Sequence, residues 1–149
     1  MSLSRRESNA GRPGGTFDPA VLGTALREEC PEVEFALLMG SARDGCIPPG
    51  GDVDLAVCVR AGLSLGLVER IVSLVQRLAP GTDVDVGCFN RTEPIYRFEA
   101  LKGRLLFARD GDRFLDAYSL TCREYESQMH DYERQSRYRL QRHEVAASH

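Results

Sequence analysis

GSARDGCIPPGGDVDLAV, residues 40–57, is the stretch on which the reading of this chain turns. Its second half runs on through Cys58 and Val59 as Asp52-Val53-Asp54 followed by uninterrupted apolar residues. A run of this length, rich in valine and bounded by a Gly-Gly turn, reads as a strand over residues 52–59 that is buried on both faces. Strand side chains alternate, so Asp52 and Asp54 leave the same face, about 7 Å apart. The charges sit only at the strand's entrance, where a buried element emerges into a cleft. The first half of the stretch follows VEFALLM, residues 33–39, a second short apolar run held between Pro31 and Gly40. A glycine and a hydroxyl residue directly after a buried strand let backbone N–H groups approach an anion closely. Taken singly, a D-x-D is more often a solvated strand start, and a Gly-Ser is more often a plain turn. Taken together, they describe a phosphate-binding turn beside a metal-binding strand.

A further acidic strand sharpens this. In DVDVGCF, residues 83–89, Asp83 and Asp85 share one face while Val84 and Val86 fill the other. An unpaired buried carboxylate is costly, and a cation beside it removes the cost. Carboxylate oxygens are the hard ligands that Mg²⁺ prefers. A third carboxylate beside Asp52 and Asp54 would complete a two-metal site, one ion holding a triphosphate and the other lowering the pKa of an attacking hydroxyl. The bland alternative for Asp83 and Asp85 is an exposed strand start.

The rest of the chain supplies a frame. Residues 1–16 are polar and glycine-rich, carry Arg5, Arg6 and Arg12, and read as a disordered tail. Asp18-Pro19 is an N-cap with proline at the first helical position, opening a short amphipathic helix that Pro31 ends. Residues 65–78 form an apolar-periodic helix stopped by Pro80-Gly81, residues 94–102 a shorter helix, RLLFA a short strand, and residues 112–142 a long helix. The connector after Ser41 has room for one helical turn. Strands alternate with helices, so the fold class is α/β, one domain over residues 17–142 with a second disordered tail at 143–149.

Composition narrows the function classes. The 149 residues carry a net charge of −3, which argues against a surface built throughout for nucleic acid. Lys102 is the only lysine, a bias that genome composition can produce. Cys30, Cys46, Cys58, Cys88 and Cys122 are scattered, with no C-x-x-C pair and no histidine at ligand spacing, so reduced thiols are expected and zinc is not. His130, His143 and His149 lie in the tail and receive no catalytic role. There is no apolar run of membrane-spanning length and no signal-peptide core, so a cytoplasmic protein is expected.

With these residues in view, the chain resembles the DNA polymerase β-type nucleotidyltransferase superfamily, whose signature is G-S, ten residues, then D-x-D. The likeness is to its short prokaryotic MNT, or minimal nucleotidyltransferase, members, and it spans residues 35–107. The resemblance implies a small mixed β-sheet flanked by helices, with a long C-terminal helix. It implies that Gly40 and Ser41 cradle the triphosphate of ATP, with Arg43 beside them, and that Asp52 and Asp54 bind Mg²⁺. By the pattern V-D-x-x-x-x-N ending at Asn90, it puts the third carboxylate at Asp85 rather than Asp83. The sequence departs from the family at Gly51, where serine is frequent, at Asp44, where an arginine commonly precedes the second glycine, and at Cys88, where many relatives have a further acid.

Short MNT proteins are typically antitoxins of HEPN RNase toxins, adenylylating a toxin tyrosine from ATP, so the resemblance implies that activity and that partner. Polymerases and aminoglycoside-modifying relatives need more chain than this to hold a primer or a drug. Phe114, Tyr118, Cys122, Tyr125, Met129 and Tyr132 recur at helical spacing on the last helix. Its first half is expected to pack on the sheet. Beyond Met129 it is expected to overhang the core, where tyrosines and arginines suit a protein partner or, equally, a dimer through this helix. The alternatives are a non-catalytic nucleotide- or partner-binding module, against which three converging carboxylates speak, and nucleotidyl transfer to a small molecule such as an aminoglycoside.

Overall fold

The two apolar runs that the sequence marks as buried strands lie side by side at the centre of a four-stranded sheet. The computed structural model describes residues 13–147, with side chains through residue 144. In chain order the elements are β1 (Gly15–Thr16), α1 (Pro19–Glu29), β2 (Phe35–Met39), β3 (Cys46–Ile47), β4 (Asp52–Cys58), α2 (Leu65–Leu78), β5 (Asp83–Cys88), α3 (Pro94–Leu101), β6 (Arg104–Ala108) and α4 (Gly111–Ala147). The main sheet has the order β5-β4-β2-β6, with β4 and β5 parallel and the other pairs antiparallel. It is the small mixed α/β sheet the sequence predicts.

Local signals set the helix ends. Asp18 caps α1 by accepting a hydrogen bond from the Ala20 N–H at 2.9 Å, and Pro19 needs no partner at the first position. Ser64 Oγ accepts from the Leu67 N–H to start α2, and Asp110 Oδ1 accepts from the N–H groups of Asp112 and Arg113 to start α4.

The pleat of β4 then sorts the core. Val53, Leu55 and Val57 pack with Leu22 and Leu26 of α1 and Leu67 and Ile71 of α2 on one side of the sheet. Ala56 and Cys58 point to the other side, where Phe35, Leu37, Phe89 and Ala100 form a second apolar layer under α3 and α4. Phe114 of α4 meets Phe35 edge-on at 5.0 Å, so the first part of α4 packs on the sheet as expected. Further along it turns to α3: Tyr125 stacks on Phe98 at 3.9 Å, and Arg97 pairs with Glu124. The most buried residue of the helix is Thr121, whose hydroxyl is satisfied by the Ala117 carbonyl, while Tyr118 of the predicted stripe is largely exposed. Beyond Met129 the described side chains are nearly all exposed, Tyr132, Tyr138 and Leu140 among them.

Three details differ from expectation. Order begins before residue 17, because Gly15–Thr16 pairs antiparallel with Cys46–Ile47 in a small second sheet. The helical turn in the connector starts at Gly40 rather than after Ser41, spanning Gly40–Ala42. The last helix continues through Ala147 instead of stopping near residue 142. Residues 1–12, most of the first expected tail, and residues 148–149, the end of the second, lie outside the described residues.

The carboxyl ends of β4 and β5 are clasped by one side chain. Asn90, just past β5, donates from Nδ2 to the Val59 carbonyl at 2.8 Å and accepts from the Val59 N–H at Oδ1 at 3.0 Å. Asn90→Ala strands both groups, and is expected to lower stability by about 1–3 kcal/mol, read as a reduced urea midpoint with an unchanged slope. Asn90→Asp keeps only the acceptor and should fall between the two.

Candidate active site

Asp54 is the hub of the site. In the register of the sheet it stands opposite Met39 on one side and Asp85 on the other, while Asp52 stands opposite Asp83. The parallel pairing of β4 and β5 therefore brings all four acidic side chains to one end of the sheet. By strand alternation they lie on the face that α3 covers deeper in, at Ala56, Cys58 and Gly87. Asp54 is half-buried, and its carboxyl is pushed from its ordinary value of 3.8 up to about 6, first by burial and then by the negative charges of Asp85 and Asp52.

Gly40 begins the turn at the end of β2. Its φ of +71° is a conformation that favours glycine, and a side chain there would reach the Asp54 Cβ at 4.0 Å. Turn and carboxylate are thus immediate neighbours. They share the walls of a cavity of about 610 Å³, lined by Met39, Gly40, Ser41, Arg43, Asp44 and Asp54 on one side and by Glu99, Lys102 and Gly103 on the other. Of the residues marked in the sequence, Gly40, Ser41, Arg43 and Asp54 line this cavity. Asp52 and Asp85 flank Asp54 closely enough to repel its charge.

The sequence reading missed what α3 brings. Lys102 and Glu99 form the far wall, and the only signal for them was the uniqueness of the lysine. Tyr96 reaches back to the strands: its hydroxyl lies 2.1 Å from where a Cβ on Gly87 would be, so only glycine admits it there. Burial, with the charges of Asp54 and Asp85 next, pushes its phenol up to about 12. It stays protonated at neutral pH, a neutral hydroxyl beside the acidic cluster. Cys88, at the family's further acidic position, has its thiol 3.2 Å from Asn90 Oδ1.

Among the described residues, no three His, Cys, Asp or Glu side chains close into a ready-made metal cage. Magnesium does not require one. It keeps several waters and is commonly held by one or two carboxylates together with substrate phosphates. The donor set fits on its chemistry: hard oxygens only, on adjacent strands, with Asp54 carrying an electrostatic penalty that a cation would relieve. Asp52, Asp54 and Asp85 are the residues that could hold it.

With this geometry in place, comparison with known proteins identifies the class. The profile of the family described as "Polymerase beta, Nucleotidyltransferase" matches residues 24–112, and the chain belongs to that family. No curated protein matches the chain. Solved structures share the fold at low identity. One is a variant of the toxin–antitoxin MntA–HpeT, 17% identical with a TM-score of 0.60, covering 76% of this chain and 91% of that one. A toxin–antitoxin with AMP-PNP is 19% identical with a TM-score of 0.60, over 76% and 91% of the two chains. A tri-AMPylated Shewanella oneidensis HEPN toxin in complex with MNT antitoxin gives 17% identity and a TM-score of 0.55, over 76% and 92%. Among the described residues no helix is long and apolar enough to cross a membrane.

The raised Asp54 pKa has a thermodynamic sign. Folding takes up a proton at Asp54 between pH 3.8 and about 6, so the metal-free protein loses stability as pH rises through that window and stays weaker above it. Asp54→Asn removes the repulsion. Its thermal midpoint in chelator at pH 7.5 should exceed that of the native sequence by roughly 3–6 °C, with the gap closing near pH 4. An equal gap at both pH values would show that charge is not the cause.

Proposed function

We propose that this protein moves AMP from ATP onto a tyrosine of a HEPN-type RNase toxin, and so serves as the toxin's antitoxin. The observation that carries this reading is that Asp54, which shares one cavity with the Gly40–Ser41 turn, stands beside Asp85 in the register of the sheet. Support also comes from the fold neighbours, one holding AMP-PNP and another a tri-AMPylated HEPN toxin with its MNT antitoxin.

In this reading Gly40 and Ser41 cradle the triphosphate, with Arg43 against an outer phosphate. Asp52, Asp54 and Asp85 would hold Mg²⁺, which would neutralise phosphate charge and acidify the attacking hydroxyl. Asp85, on the strand farther from the turn, serves the acceptor side, where it helps activate the tyrosine hydroxyl, as base or as metal ligand; the tyrosine proton passes to this carboxylate or to water. The tyrosine oxygen forms a bond to the α-phosphorus in line with the breaking bond to the β-phosphate, and pyrophosphate leaves. The overhanging half of α4, with exposed Tyr132, Tyr138 and Leu140 among arginines, is the surface offered to the toxin.

The test is direct. The protein is incubated with Mg²⁺-ATP and the product of the neighbouring gene, and both chains are weighed intact. A partner heavier by AMP units is the expected result. A partner bound tightly but unmodified would make the protein a binding module, and an aminoglycoside that acquires the nucleotide would make it a small-molecule transferase. Asp52→Asn combined with Asp54→Asn should lower transfer by at least about 10³-fold with the far-UV spectrum unchanged. Retained transfer would remove these carboxylates from the mechanism.

A further inference from the structure

The cavity's far wall holds the chain's one lysine, and the backbone fixes it there. α3 ends at Leu101, the N–H of Lys102 bonds back to Ala100 and Glu99, and Gly103 turns the chain into β6. A Cβ on Gly103 would lie 2.4 Å from the Leu38 carbonyl oxygen and 3.0 Å from that of Ala100, so this turn lies flat against β2. Leu38 pairs with Arg104, and Gly40 follows two residues later. Lys102 is thereby held at the lip of the cavity opposite the Gly40–Ser41 turn.

Charge gives this placement its meaning. The cavity walls carry Arg43 and Lys102 against Asp44, Asp54 and Glu99. In the structure the Lys102 ammonium lies 3.0 Å from Glu99 Oε1 and 5.0 Å from the centre of the Phe98 ring, with both charged side chains more than half exposed. An exposed pair at this spacing holds weakly. A polyphosphate offers the same ammonium several negative oxygens at once, and the four-carbon stem of lysine lets it swing without moving the backbone.

We propose that Lys102 grips the outer phosphates of a nucleoside triphosphate, leaving Glu99 to do so, and works together with Arg43 in the same cavity. This rests on the reading of the cavity as a nucleotide site.

Because Lys102 is the only lysine, its reactivity can be followed without mutation. The protein is treated briefly with an amine-acylating reagent, and the Lys102 peptide is quantified by mass spectrometry with no ligand, Mg²⁺-ATP, tripolyphosphate or adenosine, while calorimetry measures binding of each. Mg²⁺-ATP and tripolyphosphate should slow acylation severalfold, whereas adenosine should leave it unchanged. Lys102→Gln should weaken Mg²⁺-ATP binding about tenfold, Lys102→Arg should recover part of the loss, and Glu99→Gln should tighten binding by removing the competing carboxylate. All three ligand-free variants should melt as the native sequence does, since both side chains are exposed. Binding of Mg²⁺-ATP with no change in Lys102 acylation, or unchanged affinity in Lys102→Gln, overturns the proposal while leaving the nucleotide site standing. Failure of the native sequence to bind Mg²⁺-ATP at all removes the site, and this role with it.

Discussion

Parallel pairing between β4 and β5 is the constraint from which the site follows. Like charges placed directly opposite on neighbouring strands oppose the pairing, yet here Asp52 faces Asp83 and Asp54 faces Asp85. The sheet tolerates this because the cost is confined to its open end. Deeper in, the same two strands set Leu55 against Val86 and Val57 against Cys88, and the first of these pairs packs with α1 and α2. A one-residue slip would turn Asp54 into the apolar layer and Leu55 out of it, so hydrophobic burial locks the register that concentrates the charge. The core thereby holds the carboxylates where charge alone would drive them apart.

The same logic explains why β2 matters. Its antiparallel pairing with β4 sets Met39 against Asp54, and only then does Gly40, free of a side chain, bring the turn against the acidic cluster. On the far side, Gly103 lets the α3–β6 turn press onto the end of β2. The positive-φ turn at Gly40 and the close backbone approach at Gly103 thus border the same cavity. The covering α3 is held in turn by α4, through the Phe98–Tyr125 stack and the Arg97–Glu124 pair.

Much of this was legible in the sequence, and the limits of legibility are physical. Strands β2 and β4 announce themselves because burial on both faces demands unbroken apolar runs, with charges only at their ends, while the half-buried edge strand β5 shows itself by alternation of Asp and Val. The D-x-D spacing translates directly into a shared face. Pairing between distant segments does not write itself into local pattern: Gly15–Thr16 and Cys46–Ile47 are too short for any periodicity, and their sheet was not foreseen. Lys102 and Tyr96 escaped for a related reason. Tyr96 lies in a short helix, and Lys102 caps it; the period of that helix says which face is apolar but not which strand it will meet. The end of α4 is a different case. No glycine or proline follows Arg142, and Glu-Val-Ala-Ala is a sequence that prolongs a helix.

The length of α4 carries a consequence of its own. At 37 residues it extends roughly 55 Å, about two to three times the reach of the sheet strands it leans on. Its first half is anchored by aromatic stacking and buried side chains; its second half relies on backbone hydrogen bonds and local pairs such as Arg134 with Asp131. Helical segments of that kind open locally at far smaller free energy than a packed core. Amide protection should therefore decline along one continuous rod, from near-global values at Thr121 to almost none past Tyr138, so that the molecule combines a rigid catalytic body with a fraying arm in a single secondary-structure element.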